Sequence, residues 1–166
     1  MNRSSPVVFG VDPGTAITGW GVIVEQDGAL QALDYGVIRT PASASLQDRL
    51  VSIFSELSAL LERYAPDAVA VEDLFFSKNA RTALSVGHAR GVVLLAIALR
   101  QTPLFHYKPA QVKQAVSGYG SADKRQVQEM VKLLLGLDSV PRPDDAADAL
   151  AVAICHLHSR HFQQYA

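Results

Sequence analysis

The chain has 166 residues, 49% of them apolar, with a single cysteine and a formal net charge of −1. That length suits one domain over residues 1–166 with a buried core, and the composition excludes disordered and collagen-like chains. Cys155 alone excludes an internal disulfide and suits a reducing compartment; no run of about 18 uncharged apolar residues occurs, and the polar start MNRSSP lacks a signal peptide's apolar stretch, so a cytoplasmic protein without a membrane span is expected.

In chain order, Val7–Val11 reads as a buried strand. Ile17–Glu25 and Leu30–Arg39 follow as two more, separated by the turn signal Asp27-Gly28. Three strands joined by short turns predict an antiparallel meander. Apolar residues at Leu46, Leu50, Ile53, Leu57, Leu60 and Leu61 give a helix over Leu46–Tyr64, stopped by Pro66. Asp67–Glu72 is a short buried strand. Ala80–Arg100 is a helix, with Asn79 as a candidate cap. Its Gly87 and Gly91 lie four apart and permit close approach of a neighbour, either this chain's own sheet or a second copy. Pro103–Tyr107 is another strand, and helices follow at Pro109–Val116, Asp123–Leu135 and Asp144–His158, the last with Pro143 where a helix accepts its first residue. The order predicts an α/β fold: a mixed five-stranded sheet, an antiparallel meander plus two parallel strands returned by helical crossovers, flanked by helices. Trp20 between Gly19 and Gly21 reads as core packing beside a close backbone approach. Cys155 reads as a small buried hydrophobe.

Charge is uneven along the chain. Residues 1–77 carry four Lys/Arg against ten Asp/Glu, a net of −6; residues 78–132 carry nine against two, a net of +7; residues 133–166 carry two against four, a net of −2. An acidic site beside a basic face suits an enzyme that holds cations and acts on a polyanion.

Four carboxylates belong together. Asp12 ends the first strand and Glu72 the fourth, so in parallel neighbours both leave at the same edge of the sheet. The last helix begins PDDAADALAVAI: Asp145 and Asp148 are three apart and share a face, as do Asp144 and Asp148, four apart. The remainder of that helix is nearly all Ala, Leu, Val and Ile, so it packs on the sheet. Clustered carboxylates repel and are costly to bury; a divalent cation relieves both problems, and oxygen ligands select Mg²⁺ or Mn²⁺. Spacing leaves open whether Asp144 or Asp145 joins Asp148, because an acid in the first turn can simply serve the helix dipole.

The stretches GVDPGTAITGWGVI, VEDLFFSKNARTALSVGHARGV, QVKQAVSGYGSADKRQVQ and DDAADALAVAI resemble the motifs of the RuvC family of Holliday-junction resolvases, in the family's order and over residues 7–158. The resemblance implies an RNase H-like fold, a homodimer, and symmetric metal-dependent nicking of four-way DNA junctions in recombination and repair, leaving 5′-phosphate and 3′-hydroxyl ends. It implies that Asp12, Glu72, Asp145 and Asp148 hold two Mg²⁺ or Mn²⁺ ions per site, with Asp12 bridging. It further implies that Lys113 and Lys124 lie at the DNA backbone, with Lys124 offsetting charge on the phosphoryl oxygens, and that Phe75 contacts bases. Without it, Phe75-Phe76 read as core residues. Tyr119, in the loop Gly118-Tyr119-Gly120, and Lys78 and Arg81 at the start of the long helix, are further candidate DNA contacts. A branch-migration motor is the implied partner. His88, His106, His156, His158 and His161 share no ligand spacing with the acids.

Two other classes compete. DPGTAITGWG also resembles the phosphate loop of actin-like ATPases, but such enzymes close two domains on a nucleotide, and this chain is short for both. A catalytically silent junction-binding module would keep the basic segment without needing all four acids.

Overall fold

The computed structural model describes residues 5–73 and 80–164. The strands are β1 (Val7–Asp12), β2 (Ile17–Gln26), β3 (Ala29–Arg39), β4 (Ala68–Glu72) and β5 (Leu104–Tyr107). The helices are α1 (Leu46–Tyr64), α2 (Ala80–Leu99), α3 (Pro109–Ser117), α4 (Lys124–Leu134) and α5 (Asp144–Gln164). The sheet runs β3-β2-β1-β4-β5, with β1–β2 and β2–β3 antiparallel and β1–β4 and β4–β5 parallel. This is the mixed five-stranded sheet that the element order predicts. Asp27 and Gly28 take φ of 53° and 78°, the positive pair that a tight hairpin turn demands.

Several boundaries move for local reasons. Asp123 is a cap and not a helical residue: its carboxylate accepts from the Gln126 N–H at 2.8 Å, while the Gln126 side chain accepts from the Asp123 N–H at 2.9 Å. Pro143 stands just before α5 rather than in it, its carbonyl accepting from the Ala146 N–H at 2.9 Å. α2 stops at Leu99, and α5 runs past His158 to Gln164. Asn79 lies outside the described residues.

Strand alternation sorts the core into two layers. On β1, Val7, Phe9 and Val11 face α1 and α2, while Val8 belongs to the α5 layer. On β4, Val69 and Val71 face α1 and α2, and Ala70 faces α5. Ile53, Leu57 and Leu61 of α1 are fully buried in the first layer, each worth roughly 1.5–3 kcal/mol of apolar burial. Trp20 packs into that layer, stacked on Phe9 with ring centroids 6.1 Å apart. α3, α4 and α5 cover the other face.

Close approach of α5 is what the strand glycines provide. A Cβ on Gly10 would lie 1.9 Å from the Ala149 carbonyl oxygen, and one on Gly19 would lie 1.9 Å from that of Asp145. Gly21 is closed off by Leu150. The helix backbone therefore rests directly on β1 and β2. Gly87 and Gly91 behave differently: a Cβ at either meets nothing within 4 Å among the described residues, so this chain's own sheet does not use them. α2 is long and apolar enough to span a membrane by length and composition alone, although Arg81 and Arg90 interrupt it, so the sequence expectation of no uncharged apolar run of about 18 residues stands. It packs on the sheet through Ala89, Val93, Ala96 and Ile97, as a core helix does.

Candidate active site

Alternation brings the carboxylates to one face. Asp12 is two residues beyond Gly10, and Glu72 two beyond Ala70, both on the α5 side. Parallel pairing aligns Gly10 with Ala70 and Val11 with Val71, so both acids emerge at the same strand ends. α5 starts against β2 at Gly19, the pairing partner of Asp12, which brings its first turns over that edge.

The electrostatics record the convergence. Burial, then Asp148, Asp145 and Glu72, push the Asp12 carboxyl up to about 8, with Lys124 opposing. Burial and then Asp148 raise Glu72, against Lys113. Burial raises Asp148 against Lys124, with Asp145 and Asp144 adding to the rise. Burial works against the Lys124 ammonium, yet Asp148 and Asp144 outweigh it and hold its pKa above the ordinary lysine value. Lys124 Nζ lies 3.3 Å from Asp144 Oδ2 and 3.6 Å from Asp148 Oδ2.

The structure separates the two acids that spacing leaves equivalent. Asp145 acts on Asp12, whereas Asp144 is paired with Lys124 and Arg142, which hold its carboxyl below the ordinary range. Asp144 is thus held by two cations, while Asp145 adds its charge to both Asp12 and Asp148. Lys113 and Lys124 line a cavity of about 290 Å³ with Glu72 and Asp148, walled by Val112 and Val127. Tyr119 is exposed in the α3–α4 turn, and Arg81 is exposed on the first turn of α2. Phe75 and Lys78 lie outside the described residues.

A cation fits this donor set by chemistry. The donors are all oxygens, and half-buried like charges gather where, among the described residues, Lys124 and Lys113 offset them. Among the described residues, no three acidic, imidazole or thiol groups close on one point as a metal cage. Oxygen donors of this kind suit a hard divalent cation in general.

Two features escape the sequence. Arg90 Nη1 donates to the Glu72 carbonyl at 2.7 Å, a contact that no local spacing announces. His156 is buried with Nδ1 2.7 Å from the Tyr107 hydroxyl and its ring 4.4 Å from that of Phe105. Cys155 is buried as expected, and burial pushes its thiol up to about 11.

The loop after Asp12 is unlike a phosphate cradle. Gly14 N–H already donates to Thr18 Oγ1 at 3.3 Å, and Thr15 Oγ1 donates to the Ser85 carbonyl at 2.6 Å. Donors that an ATPase would turn toward a nucleotide are spent within the protein.

An α/β sheet with acids at the ends of two adjacent parallel strands and on a covering helix defines the class as an RNase H-like nuclease fold. The profile described as "Crossover junction endodeoxyribonuclease RuvC" matches residues 8–156, and the chain belongs to that family. The chain is 58% identical to the crossover junction endodeoxyribonuclease RuvC of Chloroflexus aggregans, over 91% of this chain and 92% of that one. It is 59% identical to the Roseiflexus sp. protein of the same name, over 91% and 90%. Thermus thermophilus RuvC superposes with a TM-score of 0.88 at 38% identity, covering 95% and 96% of the two chains. The T. thermophilus RuvC complex with a Holliday junction substrate gives a TM-score of 0.90 at the same identity and coverage.

Proposed function

We propose that residues 1–166 act as one nuclease domain that, as a homodimer, resolves four-way DNA junctions by symmetric nicking, using two Mg²⁺ or Mn²⁺ ions per site. Family membership supports the reaction class. The observation that carries the site is the convergence of Asp12, Glu72, Asp145 and Asp148 at one sheet edge, with Lys113 and Lys124 beside them.

The four carboxylates would hold the ions, which stabilise both the attacking water and the leaving 3′ oxygen when bound. Asp12, which feels Asp148, Asp145 and Glu72 together, would be the carboxylate shared by the site. Lys124, whose ammonium lies beside Asp144 and Asp148, would offset charge on the phosphoryl oxygens. Lys113 would hold a flanking phosphate, a contact that positions without reading sequence. The products would carry 5′-phosphate and 3′-hydroxyl ends. Tyr119 and Arg81, both exposed, are further candidate DNA contacts.

Two coupled cuts need two sites at fixed spacing, and α2 supports a second copy as the partner. Leu84, Leu95 and Leu99 are 63%, 53% and 65% exposed on that helix, beside the open space at Gly87 and Gly91. A large apolar surface of this kind calls for cover. Family kinship supports a branch-migration motor as a further partner, and work on DNA is consistent with the cytoplasm.

The test is nicking of a four-way junction, a linear duplex and an RNA–DNA hybrid, with and without Mg²⁺. Junction-selective, Mg²⁺-dependent cutting is expected. Asp12→Asn should reduce cutting to background while junction affinity stays largely intact, since affinity comes from contacts to the phosphates and not from the carboxylate cluster. Wild-type cutting by that variant would remove the metal site from the mechanism. Junction binding without cutting by the native chain would instead favour a silent module.

A further inference from the structure

Glu72 is the last residue of β4, where strand ends fray, so something beyond the ladder must fix it. The Asp73 N–H donates to the Tyr107 carbonyl at 2.7 Å, which pins the chain to β5 on one side. On the other side, Arg90 Nη1 donates to the Glu72 carbonyl at 2.7 Å. Arg90 Nη2 lies 3.3 Å from Asp73 Oδ1 and 2.8 Å from His106 Nδ1. An arginine only donates, so His106 Nδ1 accepts here. The Arg90 side chain is 15% exposed, and Ala89 and Val93 beside it are fully buried, so the helix delivering it cannot drift.

The guanidinium meets the carbonyl of Glu72 and not its carboxylate. It fixes the backbone from which the acid projects and leaves the acid's oxygens free for a cation. Five residues earlier on the same helix, Ser85 holds the loop that follows Asp12. Thr15 Oγ1 donates to the Ser85 carbonyl at 2.6 Å, and Ser85 Oγ donates back to Thr15 Oγ1 at 2.9 Å. Thr15 is 5% exposed, and its own carbonyl accepts from Thr40 Oγ1 at 2.6 Å. One rigid helix thus grips the chain just after each of the two strand-end carboxylates.

We propose that Arg90 is a positioning residue for Glu72, and that α2, through Arg90 and Ser85, sets the spacing of Glu72 and Asp12. This rests on the reading of Glu72 as a metal ligand. Outer groups that orient ligands commonly govern metal affinity and activity by 10–100-fold. The guanidinium fork grips carbonyl, carboxylate and imidazole together, which a single ammonium cannot do.

The experiment compares Arg90→Met, Arg90→Lys and Glu72→Gln with the native chain. Mn²⁺ affinity is measured by electron paramagnetic resonance without DNA, junction affinity in Ca²⁺, and single-turnover rates at saturating junction across Mg²⁺ concentrations. Arg90→Met should weaken Mn²⁺ binding by about tenfold or more and slow cleavage at low Mg²⁺. Added Mg²⁺ should restore part of that rate, and junction affinity should stay unchanged. Arg90→Lys, which keeps the charge but donates from a single nitrogen instead of two, should lie between. A lower melting temperature with native Mn²⁺ affinity and native Mg²⁺ dependence would make Arg90 merely structural and overturn the proposal. If Arg90→Met does not fold, native values in Arg90→Lys overturn it equally. Native Mn²⁺ affinity and cleavage in Glu72→Gln would sink the metal-ligand reading itself, independently of Arg90.

Discussion

α2 and α5 are both apolar helices of about five turns, yet the fold treats them in opposite ways. α5 is buried almost continuously from Ala146 to Leu157, interrupted at Asp148. α2 buries Ala89, Val93, Ala96 and Ile97 and leaves Leu84, Leu95 and Leu99 in solvent. The more apolar of the two, α2, is the less buried, so the surfaces they meet decide their burial and not composition. Gly10, Gly19 and Gly21 thin the sheet under α5, so backbone touches backbone and the first turns come down beside Asp12. The other face carries Phe9, Trp20 and the leucines of α1, which hold α2 away by side-chain bulk. Tight seating gives α5 the accuracy that a carboxylate cluster needs. One-sided burial leaves α2 an outer face for a partner, while its buried side holds Arg90 and Ser85 where they reach the site.

The comparison breaks most sharply at Gly10. Gly10→Ala puts a methyl 1.9 Å from the Ala149 carbonyl oxygen, so α5 must lift from the sheet. A loss of about 4 kcal/mol is expected, at the upper end for one substitution, with junction cutting lost alongside. Urea unfolding and nicking assays measure both. Native stability in this variant would mean that the seating of α5 is not what places the helix acids.

The partner face of α2 is tested by Leu84→Glu with Leu95→Glu. Both side chains are more than half exposed, so the monomer should keep its fold within about 0.5 kcal/mol. A dimer seated there should dissociate about a hundredfold more readily, roughly 3 kcal/mol. Light scattering across protein concentration reads the difference. An unchanged dimer would move the interface elsewhere.

The strand ends are legible in the sequence because Asp12 and Glu72 each close an apolar run, and alternation then fixes their face. Asp148 is legible from helical spacing. The choice between Asp145 and Asp144 is not, because both spacings share a face, and only the pairing of Asp144 with Lys124 and Arg142 separates them. Arg90 is invisible for a related reason: it lies 18 residues from Glu72 on another element, and its contact is to a carbonyl, which every residue has. Gly87 and Gly91 mislead if taken as contacts with the chain's own sheet, since a small residue signals close packing without saying what packs.

His156 shows how completely α5 is enclosed. It is 2% exposed, hydrogen-bonded to Tyr107 and packed on Phe105, whereas His88 of α2 is exposed. Burial, with Arg160 adding to it, lowers the His156 pKa from 6.5 to about 4. The unfolded chain therefore binds a proton at higher pH than the native one does. Stability is full above about pH 6.5, falls as pH drops toward about 4, and takes no further loss from this group below that. The loss should reach roughly 3 kcal/mol. His156→Gln keeps an acceptor for the Tyr107 hydroxyl but cannot titrate, so the difference in urea stability between it and the native chain should shrink or reverse from pH 7 to pH 4.5. Parallel pH slopes would show that His156 is protonated freely in the fold.

The smallest effect inverts the largest. Gly87→Ala makes the same chemical change as Gly10→Ala, but its methyl meets nothing within 4 Å among the described residues. An alanine inside a helix is favoured over glycine by about 0.5–1 kcal/mol, because glycine loses more backbone freedom on folding. In the monomeric Leu84→Glu, Leu95→Glu background, Gly87→Ala should therefore raise urea stability by that amount. In the native background the same methyl would stand between two copies if they meet at the glycine, so the dimer should weaken while each monomer gains. Opposite signs in the two backgrounds would identify Gly87 as a point of contact between copies. A gain in both would assign the close approach to another part of α2 and leave Gly87 as an ordinary exposed helix position.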